Sequence, residues 1–164
     1  MSMNPNALLL EQTKMVVGIA PITPAGAAAR RVTLKGCERC TVVIVLNNAT
    51  TVTGSAITLK QAQDVSGTAE KALNFTQAWR NLDCAAGDAL ANFAVAGNTF
   101  TTDSTNSKQL MYVIEVNDTD LDVNNGFDCF RVDAAAGTAT TLSAVYHLWP
   151  QNYGRATPPS AIVD

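Results

Sequence analysis

The chain has 164 residues, of which 47% are hydrophobic and only 15% charged, with a formal net charge of −3 at pH 7. This length predicts one domain with a core large enough to need no metal or disulfide. The net negative charge argues against nucleic acid as a partner, because nucleic-acid-binding proteins carry basic patches. No stretch reaches the roughly 18 apolar residues of a membrane span, so no membrane association is expected either.

The first 30 residues predict an N-terminal arm. The segment has no positively charged start and its apolar runs are interrupted, so it is not a secretory signal and we expect synthesis in a cytosol. Its prolines and small residues predict an extended arm outside the sheet, with a helical turn near residues 8–14. Leu8, Leu9 and Leu10 give this arm an apolar tip for contact with a neighbouring subunit.

Residues 31–149 show the period-two alternation of β-strands. Residues 40–46 are apolar on both faces, which predicts a central strand covered on both sides, with Ile44 in the core. Residues 109–116 and 127–133 flank an acidic connection and are expected to pair with each other. Residues 81–97 predict a loop or helical turn. The other predicted strands are 31–34, 55–63, 73–79, 99–102 and 142–149.

Seven or eight short strands predict an all-β fold, an antiparallel β-sandwich that is jelly-roll-like, over residues 31–149. Residues 150–164 predict an extended tail, because Pro150, Pro158 and Pro159 cannot donate ladder hydrogen bonds. Ile162 and Val163 form the apolar tip of this tail. We therefore expect the arm and the tail to carry the interface residues, namely Leu8, Leu9, Leu10, Pro158, Pro159, Ile162 and Val163.

The four cysteines are the candidates for a metal or redox site. Cys37 and Cys40 have the spacing of half a zinc ribbon, and zinc would also need Cys84 and Cys129. A strand follows Cys40 instead of the helix that a redox pair needs. Reduced, semi-buried thiols are the favoured interpretation, with zinc and a disulfide as the alternatives.

The acidic connection at residues 118–124 imitates the start of a calcium loop. Val123 stands at the position of the sharp-turn glycine and Cys129 at that of the bidentate glutamate, so a solvated turn is expected instead. Asp118 is expected to cap this turn, with Leu121 packed inward.

The sequence offers no catalytic constellation. His147 is the only histidine, no nucleophile elbow is present, and the glutamates lie in unrelated segments, so no catalytic residue, cofactor or enzymatic activity is expected. Trp79 and Trp149 could line a sugar site, although aromatic residues in a β core need no such explanation.

Several stretches, taken in their order along the chain, are informative together although none is a catalytic signature. They are 53–62 (TGSAITLKQA), 73–77 (LNFTQ), 112–116 (YVIEV), 120–122 (DLD), 126–132 (GFDCFRV), and the tail residues 153–155 and 159–162. In this order they resemble a family of small β-sandwich capsid decoration, or cement, proteins of tailed bacteriophages. The resemblance covers roughly residues 31–164, and the Cys37–Cys40 pair departs from it.

The resemblance implies a structural virion protein that coats the exterior of a phage head and braces contacts between capsid subunits. Its partner would be the major capsid protein, and it would act as a homo-oligomer assembled in the host bacterial cytoplasm. Two alternatives are a tail or head-completion protein of a phage, and a carbohydrate-binding β-sandwich module that uses Trp79 or Trp149.

Overall fold

A computed structural model describes residues 8–24, 26–151 and 160–162 of the chain. Within these residues it contains twelve strands, one short α-helix, and two 3₁₀ turns at Asp118–Asp120 and Val123–Asn125. The elements are α1 (Leu9–Gln12), β1 (Lys14–Ile22), β2 (Ala27–Ala28), β3 (Val32–Thr33), β4 (Cys37–Asn48), β5 (Ala56–Ala62), β6 (Lys71–Ala72), β7 (Gln77–Asn81), β8 (Ala91–Ala94), β9 (Thr99–Thr101), β10 (Gln109–Asn117), β11 (Cys129–Ala134) and β12 (Thr140–Gln151).

The strands form two open antiparallel sheets that pack face to face around a shared core. The first sheet has the order β1-β12-β4-β10-β7-β8. The second has the order β2-β11-β5-β6, with β3 also paired to β11 and β9 to β5. The predicted antiparallel β-sandwich is therefore confirmed.

The strand pairing is that of a jelly roll. The chain pairs with itself as one long ribbon, in which β1 pairs with β12, β2 and β3 with β11, β4 with β10, and β5 with β9. Successive segments of this ribbon alternate between the two sheets, which is the double Greek-key arrangement. The β7–β8 hairpin extends the first sheet beyond β10.

The core is built from the inward-facing residues of the central strands. Ile44 is fully buried, as predicted, on β4 between β12 and β10. Tyr146 joins the two sheets, because its hydroxyl accepts a hydrogen bond from the Val132 N–H at 2.9 Å. Its ring also packs edge-on against Phe130, with the ring centroids 5.4 Å apart.

The expectation of an arm outside the sheet is wrong for β1, although the predicted helical turn is present as α1. A register shift around Gly18 breaks the period-two pattern, as a β-bulge does. Pro21 is tolerated because β1 is an edge strand. Gly18 also permits close packing, since a Cβ atom there would lie 2.7 Å from the Tyr146 ring.

The expected pairing of residues 109–116 with 127–133 is also wrong. β10 belongs to the first sheet and β11 to the second, so the acidic connection between them crosses from one sheet to the other. This link is much longer than the two to five residues of a tight hairpin. The predicted strand at 73–79 begins only at Gln77, and the expected loop at 81–97 contains β8.

The C-terminal segment is part of the domain where the structure describes it. β12 continues through Pro150 to Gln151, which lies opposite Cys37. This is possible because the pairing of β1 with β12 ends at Leu148, so that beyond it no described strand pairs with this side of β12. The predicted interface residues Pro158, Pro159 and Val163 lie outside the described residues.

Ile162 was expected to form an exposed tip, but it is half-buried and packs against the core. Its neighbour Ala161 is 7% exposed, and the Ala161 carbonyl accepts a hydrogen bond from the Thr33 N–H at 2.9 Å. This contact ties the end of the tail to β3.

Removing residues 160–164 is therefore expected to lower the free energy of unfolding by about 1–3 kcal/mol, because the buried Thr33 N–H loses its partner. Urea unfolding followed by circular dichroism measures the change. A chain that lacks only residues 163–164 is the matched control. Equal stability of the full-length chain and the chain that lacks residues 160–164 would contradict the role of the Ala161 contact.

Candidate functional site

The outer face of the second sheet is charged, and its charges satisfy one another. Lys60 Nζ lies 3.0 Å from Asp133, and Arg131 donates to Glu70 at 2.9 Å. Arg31 forms a further ion pair with Glu70. Burial disfavours the charged form of Glu70, but the Arg31 hydrogen bond and the charges of Arg131 and Lys60 outweigh it and lower the pKa of this carboxyl. The network therefore holds β5 and β11 to the loops around them.

The outer face of the first sheet is apolar at its centre. Directly opposed residues on neighbouring antiparallel strands point to the same face. Five such residues form one continuous row across five strands. In order from β1 to β7 they are Val17, Val145, Val43, Val113 and Trp79.

Further apolar side chains lie on either side of this row. Val45 and Met111 are opposite each other on one side, and Met15 lies on the other. Met15, Val17 and Val45 are 49%, 56% and 47% exposed. The row of five residues, together with Val45, Met111 and Met15, is called the apolar band.

Polar rows border the apolar band at both ends of the strands. At one end, Thr141, Asn47 and Gln109 are opposite one another. At the other end, Arg39 donates to Asn117 at 3.1 Å and lies 3.7 Å from the Glu115 carboxylate. An apolar centre with a polar rim is the usual anatomy of a protein–protein interface.

Trp149 and Arg39 form a cation–π pair in the second of these polar rows. The Arg39 guanidinium lies 5.0 Å from the centre of the Trp149 ring. The Trp149 indole N–H donates to Thr41 Oγ1 at 3.0 Å. Contacts with Arg39 and Thr41 therefore hold the Trp149 ring in place at the rim of the apolar band.

The apolar band is the feature that the sequence interpretation missed. Residues 40–46 were expected to be covered on both faces of the strand. This prediction is confirmed for the side chains that face the core. Within the described part of the chain, nothing covers the outward half, where Val43 is half-exposed and Val45 more so. The both-face apolarity of this strand was the available signal.

The predicted N-terminal contact residues are exposed beside this face. Leu8, Leu9 and Leu10 are 73%, 46% and 61% exposed at the start of α1. α1 leads directly into β1, the edge strand that carries Met15 and Val17. The leucines therefore lie next to the edge of the apolar band, and their interface role stays a prediction.

The four cysteines lie too far apart to form one metal site. Cys37 and Cys40 are buried at the start of β4, and Cys129 is buried on β11 in the other sheet. Exposed Cys84 donates its N–H to Gln109, whereas Cys40 lies opposite Val116. Gln109 and Val116 are separated by about 24 Å along β10, at about 3.4 Å per residue.

We expect one thiol, Cys84, to react quickly with a thiol reagent in the native protein, and four after denaturation without reductant. The thiolate is the reactive form. Burial raises the pKa of the Cys37 thiol to about 11 and also raises that of Cys40. A time course with a chromogenic disulfide reagent measures the reaction, and Cys84→Ser removes the fast phase. One zinc per chain by elemental analysis, or fewer than four thiols after denaturation, would contradict this prediction.

His147 lies on the outer face of the first sheet, between Met15 and Thr41. Its Nε2 is buried and has no hydrogen-bond partner among the described residues. Burial lowers the pKa of this imidazole.

The lowered pKa predicts that the protein loses stability as the pH falls. Below about pH 6.5, the ordinary histidine pKa, the unfolded chain binds a proton that the folded chain resists, so the free energy of unfolding decreases until the folded pKa is reached. His147→Gln should flatten this decrease below about pH 6.5. His147 is the only histidine, which makes the window easy to interpret. Identical pH slopes in both proteins would refute the prediction.

The acidic connection uses its own carboxylates to shape the crossing between the sheets. Asp120 accepts a hydrogen bond from the Asn117 N–H at 2.8 Å, so the residue before the turn is Asn117 and not the expected Asp118. Asp122 pairs with Lys71, and Leu121 is buried as predicted. The geometry is that of a solvated turn.

No family model and no curated protein matches the sequence. The structure is similar to the crystal structure of the SPBc2 prophage-derived protein YomS, with a TM-score of 0.47 and 12% identity over 83% of this chain and 91% of that chain. The described residues include no helix with the length and hydropathy of a membrane span.

Proposed function

We propose that this protein is a non-enzymatic structural protein of a tailed-phage virion, which coats the exterior of the head and braces contacts between capsid subunits. The proposal rests on the ordered sequence resemblance to capsid decoration proteins and on the apolar band. Its partner is the major capsid protein, and the docking face is the outer face of the first sheet.

The apolar band is the observation that carries this proposal. In an antiparallel sandwich, the outer face of a sheet is ordinarily polar because water covers it. Here Val43, Val45 and Val113 occupy the middle of such a face, while the charged residues of the other sheet are paired among themselves. A contiguous exposed apolar patch with a polar rim marks a site for another protein.

The exposed leucines and the repeated lattice of a capsid both favour docking of this protein on a capsid. Leu8, Leu9 and Leu10 extend the apolar surface at the β1 edge. Neighbouring copies on a capsid can reinforce one another through avidity, so the binding of each copy need not be strong. A head-completion or tail protein would use the same surface in far fewer copies.

The test is to add purified protein to heads assembled without it and to measure bound copies on a gel. Cement requires a copy number close to that of the capsid protein, and decorated heads should survive heating that disrupts bare heads. A few copies per particle would replace this proposal with a connector role. No binding to heads would overturn the proposal of a virion role.

A further inference from the structure

A cleft of about 240 Å³ lies beside Trp79 at the end of the first sheet. One wall comes from residues 74–77 and the other from the end of β10 and the turn after it. Its volume is slightly below the roughly 300–1,000 Å³ of sites for drug-sized ligands, so it suits a ligand of about one ring.

The two tryptophans differ in their freedom to meet a ligand. Trp149 is occupied by Arg39 and Thr41, as described above. Trp79 is half-exposed in the cleft, and its indole N–H makes no hydrogen bond to any described residue. An indole with an exposed ring face and an N–H group free to donate can both stack against a ligand and form a hydrogen bond to it.

Polar groups with unused hydrogen-bonding capacity surround this indole. The side-chain amides of Asn74 and Gln77 are exposed and make no hydrogen bond within the described part of the chain. Across the cleft, the single ion pair of Glu115 with a described residue is the 3.7 Å contact with Arg39. Asp120 contacts Asn117 through Oδ2, and its Oδ1 accepts no hydrogen bond from the described residues. Amide donors and carboxylate acceptors thus converge around an aromatic surface.

We infer that this cleft binds a neutral pyranose unit of an oligosaccharide, stacked on Trp79. A pyranose with equatorial hydroxyls presents an apolar C–H face, which matches an indole, and a rim of hydroxyls, which matches amides and carboxylates. The carboxylates of Glu115 and Asp120 disfavour acidic sugars, because like charges repel in a partly enclosed site. This inference concerns the isolated protein and does not depend on capsid docking.

The test measures binding of β-linked glucose and N-acetylglucosamine trisaccharides to the purified full chain by ligand-observed NMR and titration calorimetry. Saturable binding of at least one of them is expected, with no binding of a uronic-acid trisaccharide. Trp79→Ala should weaken the affinity at least about tenfold, which corresponds to about 1.4 kcal/mol. Trp149→Phe, the matched control, should leave it unchanged.

Because Trp79→Ala could disturb folding, the double variant Asn74→Ala and Gln77→Ala provides a second measurement. Both residues are exposed and outside the core, and their loss should weaken binding several-fold with no change in melting temperature. The absence of saturable binding to either neutral sugar would overturn the inference. So would unchanged affinity in the double variant, or tighter binding of the acidic sugar.

Discussion

Replacing Ile44 with alanine is expected to lower the free energy of unfolding by about 2–5 kcal/mol. Ile44 is fully buried on β4, which is hydrogen-bonded on both sides by β12 and β10. The truncation removes buried methyl groups and leaves a cavity that close-packed neighbours from both sheets cannot fill. Denaturant unfolding measures the loss.

The adjacent residue is the matched control for this prediction. Val45 lies one position along the same strand, points to the outer face and is 47% exposed. Val45→Ala should therefore change the free energy of unfolding by less than about 0.5 kcal/mol, as exposed substitutions usually do. A loss below about 1 kcal/mol for Ile44→Ala would contradict the central position of β4.

Placing a charge in the apolar band is expected to abolish docking on phage heads without unfolding the domain. In Val45→Lys, an ammonium group would have to be buried against the partner without a counter-charge, which is costly. Occupancy on bare heads should fall at least about tenfold, since 1.4 kcal/mol already corresponds to that factor. The melting temperature should stay close to that of the original protein, because Val45 faces outward.

The same charge on the other sheet separates docking from a general effect of charge. Thr99 is exposed on β9 in the second sheet, so Thr99→Lys should leave occupancy unchanged. If Thr99→Lys reduced occupancy and Val45→Lys did not, the charged face of the second sheet would be the docking surface. Unchanged occupancy in both variants would contradict docking through the outer face of either sheet.

The inward-facing residues of the longest strands could be predicted from the sequence. Tyr112 and Ile114 on β10, and Tyr146 and Leu148 on β12, alternate with polar or half-exposed residues, and the structure buries all four. Period-two alternation is a local property, so the side of a strand that faces the core can be predicted before its partners are known.

Strand pairing could not be predicted in the same way, because it depends on contacts between residues distant in sequence, which period-two alternation does not reveal. β10 and β11 are neighbours in sequence but belong to different sheets, because the link between them crosses the sandwich. β1 was missed because a bulge at Gly18 shifts its alternation by one residue. The short alanine-rich strand β8 has too little pattern of its own and is held by its pairing with β7.

The candidate sites were decided by tertiary structure. The sequence showed that β4 is apolar on both faces, but only the sheet order aligns Val43 with Val17, Val113 and Val145 into one surface. It also offered Trp79 and Trp149 as equals, whereas the register places Arg39 beside Trp149 and a cleft beside Trp79. Local alternation in the sequence determines which residues face outward. The side chains that surround an outward-facing residue come from strands distant in sequence, so the tertiary register determines its neighbours.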